Sequence, residues 1–340
     1  MLTYERLNTL LNSLPRLTIG LVGDLFLDRY LHLVPGVSEM SIETDLEAYQ
    51  IDYVRNSPGA LGTVMNNLAA LGVGLLAPVT VLGDDGHGYD LLRSMGRLPI
   101  DKSHLLCRRD RLTPTYTKPL RQHADGHWDE LNRLDVRTRG PLTEAATQEV
   151  CQRVRDVFRT SDGLIVLDQI NETNWGVVNE AVRATLAELA AASPEKLIFV
   201  DSRAHLSEFT GTTLKGNRLE LARAANVLEG AFSKPQAVAV ALAQRNQHPV
   251  FVTQGAEPTL VARPDGTVAE APAMAVPGPL DIVGAGDSAT SGIVAALLAG
   301  ASDVEAAALG NLVASITVQQ LGTTGTATPD QVRARFHEAA

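Results

Sequence analysis

The stretch Asp281-Ile282-Val283-Gly284-Ala285-Gly286-Asp287-Ser288-Ala289-Thr290-Ser291-Gly292, running into the apolar segment Ile293–Ala299, is the most specific in the chain. Gly284 and Gly286 carry no Cβ, so the backbone there can approach a ligand closely. Their N–H groups stand at the start of a helix expected over Asp287–Ala299. Unpartnered donors and the helix dipole favour an anion at such a position. A carboxylate beside an anion site is self-defeating unless it acts as a base. Asp287 suits a group that takes the proton from a hydroxyl attacking a bound phosphoryl group. On spacing alone the same residues also make a glycine-rich turn with Asp287 as an N-terminal helix carboxylate.

Outward from this segment, apolar runs alternate with helical stretches. Strands are expected at Leu17–Val22, Leu75–Leu82, Leu164–Leu167, Lys196–Val200 and Val250–Thr253. Helices are expected at Met1–Arg16, Val64–Leu71, Tyr89–Arg97, Trp175–Ala192 and Val304–Leu321, and the stripe Ala237–Ala243 reads as core. Continuous apolar strands between helices indicate an α/β fold, a mostly parallel central sheet with helices on both faces. Asp24, Asp168, Asp201 and Gln254 follow the strands, and ligands in such sheets sit outside the strands' carboxyl ends. Two segments, 30–56 and 113–135, mix β-branched and aromatic residues with charges and carry turn signals at Pro35-Gly36 and Asp125-Gly126. They read as a second, smaller sheet that can serve as a lid, or else as two long surface excursions.

Composition narrows the function. The chain has 340 residues, 45% hydrophobic, with 29 Lys+Arg against 39 Asp+Glu and a net charge of −10. An acidic whole argues against a nucleic-acid binder, which needs a basic footprint. Cys107 and Cys151 form no C-x-x-C pair, so no disulfide framework or cysteine zinc site is indicated. No apolar run reaches the ~18 residues of a membrane span, and a cytoplasmic soluble protein is expected. A P-loop motif is lacking. Gly284-x-Gly286-x-x-Ala289 fits a relaxed dinucleotide fingerprint, but it lies late in the chain after Pro277 and Pro279. His123 and His127 read as hairpin surface.

The Asp281…Asp287 segment resembles the C-terminal signature of the ribokinase-like (PfkB) carbohydrate kinases, and other matches follow in that family's order. Gly23-Asp24 through Asp28-Arg29-Tyr30 is similar to its first strand and substrate aspartate. Pro58-Gly59 through Leu71-Gly72 resembles its glycine-rich signature, and Val81 through Gly86 its next strand and turn. Asn217-Arg218-Leu219-Glu220 fits N-x-x-E, Val252-Thr253-Gln254-Gly255 is similar to the T-x-G segment, and Gly310-Asn311 with Leu321-Gly322-Thr323 resembles the closing helix and end. The likeness covers about residues 17–330. The opening looks most like the heptose 7-phosphate kinase branch. In many bacteria that kinase is fused to a nucleotidyltransferase domain. No H-x-G-H motif occurs, so residues 1–340 are expected to be a single kinase domain.

The resemblance implies an ATP-dependent sugar kinase of ribokinase-like three-layer fold with a small β-sheet lid. It implies Asp287 as base and the amides of Gly284, Ala285 and Gly286 as an anion hole. Asn217 and Glu220 would hold Mg²⁺ through water from one helix face, and Thr253, Gly255 and Asn311 would border the nucleotide. Asp24, Asp28, Gly59, Thr63 and Asp168 would meet the sugar, and Lys118, Arg121 or Arg203 a substrate phosphate. Asp281 would help bind a monovalent cation such as K⁺, or else cap its own loop. A homodimer through the lid sheet is implied as well. The chain departs from the pattern at four places: Gly59-Ala60 for a Gly-Gly pair, Thr63 for an asparagine, Asp168-Gln169-Ile170-Asn171-Glu172 for D-Y-x-K-G, and Ala256-Glu257-Pro258 after T-x-G. A ribokinase- or fructokinase-type enzyme and a non-catalytic sugar or nucleotide binder are the other readings.

Overall fold

Each β-rich apolar run becomes a strand buried on both sides, because helices cover both faces of the sheet it joins. The computed structural model describes residues 2–228 and 234–339. In chain order its elements begin with α1 (Tyr4–Ser13), β1 (Thr18–Gly23), β2 (Leu25–Leu33), β3 (Glu39–Met40), β4 (Glu47–Ala48), β5 (Ile51–Ala60), α2 (Leu61–Ala70), β6 (Leu75–Gly83), α3 (Gly86–Ser94), β7 (Leu105–Arg108), β8 (Thr115–Gln122), β9 (Trp128–Glu130), β10 (Leu134–Val136), α4 (Glu144–Thr160) and β11 (Gly163–Asp168). There follow α5 (Glu180–Ala192), β12 (Ile198–Ser202), β13 (Thr213–Asn217), α6 (Arg218–Ala225), α7 (Pro235–Asn246), β14 (Val250–Gln254), β15 (Glu257–Ala262), β16 (Val268–Ala271), α8 (Ala285–Leu298), α9 (Asp303–Thr317) and α10 (Pro329–Ala339). Among the described residues no helix is long and apolar enough to cross a membrane.

The large sheet runs β16-β15-β14-β13-β12-β11-β1-β6-β7. β14 through β7 are parallel, and β15 and β16 extend the edge antiparallel. Period-2 alternation sends successive side chains to opposite faces. Ile19 and Leu21 of β1 join the core under α1, α2, α8 and α9, while Val22 joins the core under α4, α5 and α7. Chain order reverses between β1 and β11, so the crevice at their carboxyl ends is the natural ligand site. α8 reaches its place because small residues let it lie very close to α9. A Cβ on Gly292 would come within 2.8 Å of Gly310 Cα, and one on Gly310 within 2.6 Å of Ile293 Cγ1.

The small sheet has the order β10-β8-β2-β5, with β9 paired to β8. β2 leaves β1 through the single residue Asp24, and β5 runs directly into α2. Both of its long strands are therefore anchored beside the crevice. Phe26 meets Tyr116 edge-on at 5.4 Å, and His32 stacks on Tyr53 at 4.0 Å.

Several expectations shift. The helix expected from Trp175 starts at Glu180, because the Asn179 side chain caps it by accepting from Val182 N and leaves 175–179 as a loop. The last long helix ends at Thr317 rather than Leu321. β13, β15 and β16 were not expected. β13 lacks an apolar run, carrying Lys215, Gly216 and Asn217. In the Ala237–Ala243 stripe Val238, Ala239, Leu242 and Ala243 are core, but Ala237 is exposed. The N-terminal helix spans Tyr4–Ser13, and Met1 lies outside the described residues.

Ala60, where the family pattern has a second glycine, sits at φ 52° and ψ −116°. A Cβ is strained there by about 1–3 kcal/mol, which the extra chain entropy of a glycine offsets by only about 0.5–1 kcal/mol. Ala60→Gly should therefore stabilise the protein by about 1 kcal/mol. Urea unfolding checks this, and a loss of stability would contradict it.

Candidate active site

The turn before α8 is built by Gly284 in the left-handed region at φ 79°. The helix that follows is buried from Ser288 to Ala296, which fixes its N-terminus in space. Of the three amides expected to form an anion hole, that of Ala285 donates within the loop to Ile282 O (3.2 Å). The amides of Gly286 and Asp287, at the second and third helical positions, have no intrahelical acceptor. Ser288 N already reaches Gly284 O (2.9 Å).

Beneath this N-terminus lies a lysine that sequence reading passed over. Lys215 Nζ is 3.2 Å from where a Cβ on Gly286 would stand, and it pairs with Asp201 Oδ2 at 2.7 Å, both residues 3% exposed. Thr290 Oγ1 on α8 donates to the same carboxylate oxygen (2.7 Å). Burial alone would lower the Lys215 ammonium, but Asp201 and Glu220 hold its pKa above the ordinary value. Asp287 is pushed up to about 7 by burial and by Asp201, against the opposing pull of Lys215 and Arg203. Such a carboxyl is matched to proton transfer near neutrality. The signal was a lysine two residues before Asn217, masked because its strand has no apolar periodicity.

Asn217 and Glu220 do not share a helix face as expected. Asn217 is the N-cap of α6, at the end of β13. Its Oδ1 accepts from Leu219 N (2.9 Å) and Glu220 N (3.0 Å), and Glu220 Oε2 accepts from Asn217 N (2.7 Å). This is a reciprocal capping box. Burial and Asp201 push the Glu220 carboxyl up. Three carboxylates, Asp201, Glu220 and Asp287, thus crowd one buried lysine. That charge balance suits a hydrated divalent cation shared with phosphates. Among the described residues no group of three His, Cys, Asp or Glu side chains is set to grip a metal directly. Thr253 pairs in register with Asn217, and Gly255 follows in the left-handed region, open to solvent. Asn311 is taken up structurally. Its Oδ1 accepts from Thr259 Oγ1 (2.7 Å), and its Nδ2 donates to Ala271 O (3.1 Å) and Pro272 O (2.9 Å).

The second part of the site is the crevice between β1 and β11. Asp24 Oδ1 accepts from Val177 N (2.9 Å), while its buried Oδ2 has no partner. Burial pushes Asp24 up to about 6, opposed by the Val177 bond and by Arg111. Asp168 accepts from Ser202 Oγ (2.8 Å), and burial with the nearby Asp24 raises it to about 7. Two buried carboxyls with spare acceptors are a ready receptor for hydroxyls. The loop left open by the late start of α5 is what closes over Asp24. Arg111 Nη2 braces it by donating to Trp175 O (2.5 Å). Arg111 was also missed in the sequence.

Asp28 on β2 pairs with Lys118 Nζ at 3.0 Å, and Gly59 on the neighbouring β5, diagonal to it, leaves room for that carboxylate. Thr63 is buried on α2, its methyl 3.3 Å from where a Cβ on Gly284 would stand. It joins the glycine-rich signature to the α8 turn. The three cations expected as alternative partners of a substrate phosphate have different surroundings. Lys118 takes Asp28, and Arg121 takes Glu47 (3.1 Å). Arg203, exposed after β12, acts on Asp287 and Glu220. Lys118 and Arg121 are three residues apart on β8 and so face opposite sides of the small sheet, while Arg203 follows β12 in the large one. His123 and His127 are hairpin residues sharing Asp129, as expected.

A helix N-terminus with free amides, a buried lysine and a carboxyl held near neutrality are groups suited to phosphoryl transfer, and the crevice beside them offers acceptors suited to hydroxyls. The pfkB family carbohydrate kinase model matches residues 32–331, and the chain belongs to that family. It is a phosphotransferase with an alcohol group as acceptor. The chain is 28% identical over 336 residues to the bifunctional protein HldE of Pelobacter propionicus, covering 97% of this chain and 65% of that protein. With HldE of a Caulobacter strain it shares 31% over 312 residues, 90% of this chain and 60% of the relative. It thus spans somewhat less than two thirds of these relatives. Among solved structures, phosphofructokinase-2 of Escherichia coli in complex with potassium superposes with a TM-score of 0.69 at 17% identity, covering 95% of this chain and 99% of that one. Ribokinase of Arabidopsis thaliana with ribose and ATP gives 0.65 at 14%, covering 94% and 98%. These likenesses share the ribokinase-like fold.

Lys215→Met leaves Asp201 buried without its counter-charge and should cost about 3–5 kcal/mol of stability. Adding Asp201→Asn should recover most of that loss while phosphoryl transfer stays depressed. Urea unfolding and a rate assay on both variants separate the two effects. Recovery of the rate together with stability would make the pair purely structural.

Proposed function

We propose that this chain transfers the γ-phosphoryl group of ATP to a hydroxyl of a phosphorylated sugar of the heptose 7-phosphate type. One observation carries the reading: Asp287, held near neutrality, stands on the free N-terminus of α8 above Lys215, while Asp24 and Asp168 converge at the reversal point of the same sheet. Asp287 removes the acceptor's proton, and the Gly286 and Asp287 amides with Lys215 offset charge on the transferred group. The work is positioning and electrostatics. Glu220 and Asn217 would hold Mg²⁺ through water, since the metal dehydrates reluctantly. Bound there it would neutralise phosphate charge. Thr253 and Gly255 would border the nucleotide.

The heptose-phosphate choice leans on the Gly23–Tyr30 opening and the HldE relatives. One observation favours the free-sugar reading. Lys118 and Arg121 already have carboxylate partners, so only Arg203 among the three expected cations is without an ion pair among the described residues. The proposal includes a cytoplasmic location, a lid role for the small sheet and a homodimer formed through it. Support for the dimer is the exposure of Ile51, Tyr53 and Val54 on β5 and of Ile42 and Leu46 before it.

Asp287→Asn keeps the shape and removes the base, so turnover should fall roughly 10²–10⁴-fold with nucleotide affinity retained. Because the base must be deprotonated, wild-type kcat/KM should rise as pH climbs through about 7 and level above it. A variant retaining more than about a tenth of the rate sinks the base assignment. An ADP-release screen over heptose 7-phosphate, sedoheptulose 7-phosphate, fructose phosphates, ribose and fructose decides the acceptor. The highest kcat/KM should belong to a phosphorylated sugar, and a free pentose or hexose at the top replaces this substrate class with the free-sugar one.

A further inference from the structure

The loop that carries the phosphotransfer turn is tied to the small sheet. Arg55 on β5 donates from Nη2 to the carbonyl of Gly322 (3.0 Å), and its guanidinium lies 3.8 Å from the ring centroid of Tyr30 on β2. The amide of the same Gly322 donates to Asp281 Oδ2 (3.1 Å), and Asp281 Oδ1 accepts from Val283 N (3.0 Å), one residue before the Gly284 turn. Contacts therefore run from the small sheet through Gly322 and Asp281 to the start of α8. Tyr30 also lies beside Lys118, whose Nζ is 3.4 Å from its hydroxyl and 3.0 Å from Asp28. One buried aromatic ring thus sits between Arg55, which holds the Gly322 carbonyl, and Lys118, which holds Asp28.

A monovalent cation at Asp281, as the family resemblance implies, would need this carboxylate and nearby carbonyls turned toward it. Both carboxylate oxygens instead accept N–H groups, and the adjacent carbonyl accepts a guanidinium. These donors take up part of the acceptor capacity of the carboxylate and the carbonyl, and the guanidinium already sets a fixed positive charge against the loop, with which a free cation would have to compete. Arginine keeps its charge at any working pH, and its planar fork stacks on an aromatic face with little loss of hydrogen bonding. We propose that Arg55 supplies the positive charge that orders the Asp281–Gly284 loop in place of a monovalent cation, and so links the small sheet to the anion-binding turn. Arg55 is a positioning residue, acting through Gly322 and Asp281. The inference rests on the phosphotransferase reading of the α8 N-terminus.

Wild type, Arg55→Lys and Arg55→Met are compared in tetramethylammonium chloride and in KCl at equal ionic strength. Wild type should turn over equally in both salts. Arg55→Met should lose about tenfold to a hundredfold in kcat without K⁺, with sugar KM little changed, as misplacement of reacting groups does. K⁺ should restore part of that loss, and Arg55→Lys should fall between. Calorimetric binding of a non-hydrolysable ATP analogue with Mg²⁺ gives a second readout that needs no sugar. Arg55→Met should bind it several-fold more weakly, with recovery in K⁺. Activation of wild type several-fold by K⁺, or an Arg55→Met variant matching wild type in both salts, overturns the proposal. If wild type phosphorylates no sugar, the functional reading fails, and the binding comparison alone still decides for or against Arg55.

Discussion

The Lys215–Asp201 ion pair is the interaction on which the active end of this molecule depends. Both groups are buried, and neither would be tolerated there unpaired. Asp201 ends β12, Lys215 lies on the neighbouring β13, and Thr290 of α8 donates to the same carboxylate. Two parallel strands and a helix from the far end of the chain are thereby locked at one point. The lysine also brings its charge under the α8 N-terminus, where backbone donors already favour an anion. Removing the lysine would leave both the fold and the α8 N-terminus facing the uncompensated charge of nearby carboxylates.

The crevice obeys a different balance. Asp24 and Asp168 stand at the carboxyl ends of adjacent strands, close enough for Asp24 to push the Asp168 carboxyl up. Ser202 and Val177 satisfy them in part, and the unpartnered oxygen of Asp24 is a cost the folded chain bears. A buried acceptor without a donor destabilises, so a ligand hydroxyl bound there would gain what the free protein lacks. Such a site discriminates by leaving polar groups unpaired when the wrong ligand enters. The bracing of the 175–179 loop by Arg111 belongs to the same design, since that loop holds the Asp24 carboxylate.

The departures from the family pattern have visible local consequences. Ala60 takes a conformation better suited to glycine and does so at the junction of β5 and α2, where two strongly paired elements over-determine the backbone. Thr63 turns a methyl group toward the Gly284 turn, so the exchanged residue packs against the phosphate side of the site. The turn before α8 is therefore packed against α2 at Thr63 and tied to the small sheet through Gly322 and Arg55.

The sequence alone determined the layered α/β architecture, because continuous apolar runs can be buried only between helices, and it determined the small sheet from its alternation and turn signals. It also singled out Asp287, Gly284 and Gly286, which on spacing alone fit a glycine-rich turn as well as an anion site, through their likeness to the family's C-terminal signature. Only the tertiary structure decided the rest. Lys215 and Arg111 were invisible because a cation reveals its role only through its partner, and those partners lie in other strands and loops. Asn217 and Glu220 were legible as a motif but misread as a helix face, because the capping box depends on where β13 ends. Lys118, Arg121 and Arg203 were each offered as a partner for a substrate phosphate, but Lys118 and Arg121 are taken by Asp28 and Glu47, because the neighbouring stretch of chain, not the local sequence, decides which carboxylate comes within reach.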